Sequence, residues 1–139
     1  MSDRSTIQGK AFEYAVCVAL KTRLETIKKV VLADSSSMQI AKNRFSTGID
    51  LELQSQMILS ADAGVKGIIP MEPFLSSPSA SVIHIDLQSD TKGIKGDVRD
   101  LIITSPDEQW ETGISVKHNH DAVKHPRISP TIDFGKDWY

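Results

Sequence analysis

Residues 96–127 read GDVRDLIITSPDEQWETGISVKHNHDAVKHPR, and this stretch constrains the fold more than any other. Two carboxylates, Asp97 and Asp100, stand before an apolar run, Leu101-Ile102-Ile103. A polar turn, Ser105-Pro106-Asp107-Glu108, follows, and then a second strand-like run over 113–116 that ends in Lys117. Short apolar runs bounded by turn residues form buried strands, so the stretch reads as a β-hairpin with charges planted in it. Facing residues of a hairpin share one side of the sheet, so the turn decides which charges meet. A loop over 105–112 sets Asp100 opposite Lys117. A tighter turn at Pro106-Asp107 slides Lys117 past Asp100, toward Gly96 or Asp97.

The preceding chain supplies helices and one more strand. Over 6–29, Ala11, Phe12, Ala15, Val16, Ala19, Leu20 and Ile27 recur near helical spacing. Lys21, Arg23, Lys28 and Lys29 load the later turns, where cations suit the helix dipole. Residues 30–32 are too few to classify. Asp34-Ser35-Ser36-Ser37 offers an N-cap for a helix through about Phe45. A further helix is expected over 49–63, ended by Gly64. Residues 64–81 carry glycine, serine and three prolines and read as irregular. Val82-Ile83-His84-Ile85-Asp86-Leu87 alternates as a strand does, and residues 90–96 form a polar connection. After His118 the chain turns polar and basic, with a short helix expected over 121–125 and stopped by Pro126.

Hydrophobic content of 40% and charged content of 24% fit an ordinary soluble globular chain, and 139 residues suit one domain. Cys17 is alone, which rules out an internal disulfide and suits a reducing cytoplasm. No charged-then-apolar leader follows Met1, and no run approaches a membrane span. The expectation is a soluble, cytoplasmic protein.

The net charge of −2 says little about partners, but its distribution says more. Residues 1–44 hold eight Lys/Arg against four Asp/Glu, while residues 50–111 hold four against eleven. Residues 117–127 hold three against one and add three of the four histidines. Cations beside an acidic centre suit a metal-dependent enzyme of nucleic acid, because cations track phosphates and carboxylates hold the metal. Scattered charges also produce lopsided windows, so the pattern alone does not decide.

Acid, strand, turn, strand and lysine follow the plan of the PD-(D/E)XK nuclease superfamily. GDVRD, then GIS-x-KHNH, then AVKH-x-R-x-S resemble the HaeIII-type restriction endonucleases, which cut double-stranded DNA at GGCC. The match is dense over 96–129 and continues through Ile132-Asp133-Phe134-Gly135-Lys136. A shorter match is Gln8-Gly9-Lys10-Ala11-Phe12-Glu13-Tyr14.

The resemblance implies an α/β protein with a PD-(D/E)XK nuclease-like core, a mixed sheet with a central hairpin flanked by helices. Its hairpin core spans about 82–118 and a basic, DNA-facing segment spans 117–129, all within one nuclease domain over 1–139. The family core continues with a helix and a parallel strand, for which residues up to Tyr139 leave too little chain, so the resemblance implies the N-terminal portion of a longer protein or a truncated relative.

The implied activity is Mg²⁺-dependent hydrolysis of double-stranded DNA, by a chain that could pair as a homodimer. Asp100, Lys117 and Glu13 would be catalytic, and Asp100, Asp97 and Glu13 would hold the metal. His118, Asn119, His120, Lys124, His125 and Arg127 would contact DNA. Read from the residue alone, Glu13 is an acid near a helix start that faces water, and Lys117 is a strand-end lysine.

One departure stands out. The superfamily has Asp or Glu two residues before the lysine, and this chain has Ser115. Glu111 lies four residues from Ser115 on its own strand, roughly 13 Å away, so Glu13 from the first helix is the better substitute. Two rival readings stand beside this one. One is a DNA-binding relative with a disabled centre. The other is a small interaction domain in which His118, His120 and His125 bind zinc, although no fourth ligand is evident.

Overall fold

The computed structural model describes residues 4–76, 81–88, 100–117 and 127–131, with residues 4–6, 117 and 127–131 as backbone. Four helices occur in this part of the chain: α1 (Arg4–Leu24), α2 (Ser36–Thr47), α3 (Leu51–Ile68) and the short α4 (Pro73–Ser76). Five strands, β1 (Lys29–Leu32), β2 (Val82–Leu87), β3 (Leu101–Ser105), β4 (Trp110–Lys117) and β5 (Arg127–Thr131), form one sheet in the order β1-β2-β3-β4-β5. β1 runs parallel to β2 and every other pairing is antiparallel, so the sheet is mixed. The expected mixed sheet with helices is therefore present, and β3, central in it, belongs to the hairpin.

Alternation builds the core. Ile83, Ile85, Leu87, Leu101, Ile103 and Ile114 are buried on one face of the sheet, with Ile85 opposite Ile103 and Leu101 opposite Ile114. They share one apolar cluster with Phe12, Val16, Leu20 and Leu24 of α1 and Met57, Ala61 and Val65 of α3. α1 packs on both α2 and α3. Arg23 clamps α3 by donating two hydrogen bonds to Asp62, at 2.6 and 2.8 Å. That hydrogen-bonded guanidinium holds the Asp62 carboxyl below its usual range. The link therefore adds stability above the unfolded carboxyl pKa, and this is lost as pH falls through the lowered folded value. Gly48 closes α2 against α1, where a Cβ would meet the Arg44 carbonyl at 2.6 Å and Ile7 Cγ2 at 2.8 Å.

Several boundaries depart from the sequence expectation. The first helix stops at Leu24 rather than near Lys29, because residues 29–32 are taken into the sheet beside β2. The amides of Ile27 and Lys28 both donate to the Leu24 carbonyl, turning the chain. Lys28 is then buried, its Nζ 4.7 Å from the centre of the Phe74 ring, which stacks on Trp110.

The expected helix over 49–63 runs on to Ile68 through Gly64. A helical glycine costs about 1 kcal/mol, whereas burying Val65 and Ile68 contributes about 2 kcal/mol each. Much of the segment read as irregular is thus α3, a 3₁₀ turn at Ile69–Met71 containing Pro70, and α4. The capped helix after Ser35 and the strand over 82–87 agree with expectation. β5 was not foreseen. The expected helix over 121–125 and the polar connection over 90–96 lie outside the described residues.

Candidate functional site

The hairpin adopts neither of the two turns considered: its connection over 106–109 is tighter than a 105–112 loop and wider than a turn at Pro106-Asp107 alone, and the register falls between the two. A 3₁₀ turn at Pro106–Glu108 and Gln109, in the left-handed region at φ 52°, connect Ser105 to its partner Trp110. Leu101 consequently faces Ile114, and Asp100 falls beside Ser115 rather than Lys117. Its amide donates to the Ile114 carbonyl at 3.1 Å, and its Oδ2 accepts the Val116 amide at 2.7 Å. The carboxylate is therefore anchored at the Ser115–Val116 step of β4. Lys117 lies two residues beyond Ser115 on the same alternation, its backbone opposite Arg127 of β5.

These residues gather at one end of the sheet. β2 and β4 finish there, β3 and β5 begin there, and β1 leaves it toward α2. The opposite end is closed by the Lys28, Phe74 and Trp110 stack and by Ser81, which donates to Glu108 at 2.9 Å.

The sequence reading did not single out Asp86. It stands near the end of β2, opposite Ile102, which makes it the diagonal neighbour of Asp100. Diagonal positions on paired antiparallel strands lie about 7–8 Å apart. Its Oδ1 accepts the Ser35 hydroxyl at 2.6 Å and the Leu87 amide at 2.7 Å. The Ser35 hydroxyl in turn accepts the Met38 amide at 3.1 Å and caps α2. The available signal was alternation: Asp86 belongs to the set opposite the buried Ile85 and Leu87.

Glu13 is half-buried on α1, one turn before the buried Cys17. Burial pushes the Cys17 thiol well above its usual range, and the negative charges of Glu13 and Asp86 push it further. The helix glutamate and the sheet aspartate thus act on one neighbourhood. Asp97, His118, Asn119, His120, Lys124 and His125 lie outside the described residues, and Lys117 and Arg127 are described by backbone alone.

Among the described residues, no three His, Cys, Asp or Glu side chains converge as a metal cage. Mg²⁺ does not require one, since it is bound through one or two carboxylates with waters and substrate oxygens completing the shell. Asp86 and Asp100 at one sheet end, with Asp86 Oδ2 unpartnered among the described residues, fit that demand.

A mixed α/β protein with acids and a lysine strand terminus collected at one end of its sheet is the class that fold and site define. The chain belongs to the HaeIII restriction endonuclease family, whose model matches residues 9–139. It is 36% identical over 139 residues to the type II restriction enzyme HaeIII of Haemophilus aegyptius. That match covers 100% of this chain and 43% of the relative, so the chain spans less than half of the relative's length. No solved structure matches. Among the described residues, no helix is long and apolar enough to cross a membrane.

Proposed function

We propose that the protein is a Mg²⁺-dependent endonuclease of the PD-(D/E)XK type that hydrolyses double-stranded DNA at a GGCC-like site in the cytoplasm. The observation that carries this reading is the Asp100 carboxylate seated on the Ser115–Val116 step, with Lys117 next along the strand, in a chain of this family. Bound Mg²⁺ would supply an acidified water and neutralise charge on the phosphate. Asp100 would hold the metal, with Asp97 and Glu13 as further carboxylates. Lys117 would orient the attacking water and face the phosphate as a compact, mobile cation. His118, Asn119, His120, Lys124, His125 and Arg127 would follow the DNA backbone and base edges. A homodimer would present two such centres to the two strands.

The test is cleavage of long double-stranded DNA. Discrete fragments are expected when Mg²⁺ is present, and none in EDTA. Robust cutting in EDTA would remove the metal from the mechanism. Absence of cutting together with retained binding would favour the second reading, a DNA-binding relative disabled by Ser115.

The basic segment makes a separate prediction. Replacing Lys124 and Arg127 together by alanine should weaken binding to all DNA sequences alike. It should also flatten the plot of log affinity against log salt by about two, roughly one per lost phosphate contact. An unchanged slope in a fluorescence-anisotropy salt series would return this segment to a solvated surface.

A further inference from the structure

We infer that Asp86, held in place by Ser35, is the carboxylate that stands in for the acid missing at Ser115. The inference rests on the endonuclease reading above and names a residue that reading does not use.

Three observations support it. Asp86 and Asp100 are diagonal neighbours at the same sheet end, within the span across which two side chains can share one cation. Asp86 is also built to keep one orientation. Its Oδ1 takes the hydroxyl of Ser35 at 2.6 Å and the Leu87 amide at 2.7 Å, while its Oδ2 has no hydrogen-bond partner among the described residues. Lastly, the orienting group is itself fixed, because the Ser35 hydroxyl caps α2 through the Met38 amide.

A carboxylate with one oxygen tied down and the other left open is the arrangement that orients a metal ligand. The superfamily's acid would project from β4 at position 115, where this chain has a hydroxyl and where Asp100 already accepts the Val116 amide. β2 lies on the other side of β3 from that position, so Asp86 would approach the cation from the opposite flank of Asp100. Ser35 is a positioning residue in this arrangement, not a ligand.

Asp86→Asn separates this role from a structural one. The amide keeps an oxygen that can accept from Ser35 and Leu87, so a merely structural Asp86 tolerates it. The charge and the open carboxylate oxygen are lost. Mg²⁺ binding is measured by titration calorimetry, alongside DNA cleavage and thermal melting, for the parent, Asp86→Asn, Ser35→Ala and Ser35→Thr. Asp86→Asn should lower Mg²⁺ affinity by at least about tenfold and cleavage by more, with melting unchanged. Ser35→Ala should lower both by about tenfold, within the usual range for an outer-shell partner, and Ser35→Thr should restore them. If the parent binds Mg²⁺ and Asp86→Asn binds it equally well, the inference is overturned and the endonuclease reading stands. If the parent binds no Mg²⁺, both fall together.

Discussion

Asp100→Asn is expected to lower the single-turnover rate of DNA cleavage about a thousandfold or more while leaving the melting temperature close to that of the parent. The size follows from interdependence. In a centre whose groups act as one unit, removing any one member forfeits nearly the whole rate enhancement. Asparagine is the informative replacement because Asp100 has two duties. It presents charge at the sheet end, and its Oδ2 accepts the Val116 amide at 2.7 Å. Alanine would leave that amide without its partner and cost stability, confusing the two effects. Asparagine retains an acceptor oxygen. Lys117→Ala should be comparably severe, because Lys117 follows on the strand that Asp100 grips. Cleavage by Asp100→Asn within a few fold of the parent would show that the acid at the start of β3 serves the hairpin alone.

The parts of the fold legible in the sequence were those with local causes. Ser35 caps α2 because its hydroxyl reaches the Met38 amide, an interaction written within four residues. β2 was legible because Ile83, Ile85 and Leu87 alternate against one buried face. The misread boundaries had distant causes. Lys28 and Lys29 look like the cationic last turn of a helix, yet Lys29 pairs with Val82, more than fifty residues away in sequence. Gly64 looks like a stop signal, but the Val65 and Ile68 side chains beyond it enter the core that α1 and the sheet share.

The candidate site divides in the same way. Asp100, Lys117 and Glu13 could be chosen through a family resemblance, which carries information that spacing does not. The register between Asp100 and β4 could not be chosen, because it depends on the 3₁₀ turn at Pro106–Glu108 and on Gln109 taking a left-handed conformation. Asp86 is unremarkable as a letter in a strand. Only the pairing of β2 with β3, and the arrival of Ser35 beside it, make it a neighbour of Asp100.

The glutamates test whether a further carboxylate joins Asp100 and Asp86 at the centre. Glu111 shares the alternation of Ser115 and Lys117 but lies four residues from Ser115, roughly 13 Å along the strand. It is exposed and pairs with Thr104, next to the Trp110 end of the hairpin. Glu13 comes from another direction. It is half-buried on α1, and its charge reaches the same thiol as that of Asp86. A helix packed in the shared core can deliver a side chain to the sheet end, whereas a strand cannot slide by four residues without breaking its ladder. Glu13→Gln preserves shape and removes charge, and it should lower cleavage by orders of magnitude with folding and DNA binding intact. Glu111→Gln should change cleavage by no more than a few fold. Both variants are checked by cleavage rate, anisotropy binding and melting. Parent-like cutting by Glu13→Gln would make the helix glutamate structural and leave the carboxylates of the centre to the sheet end, Asp86 and Asp100, joined by Asp97.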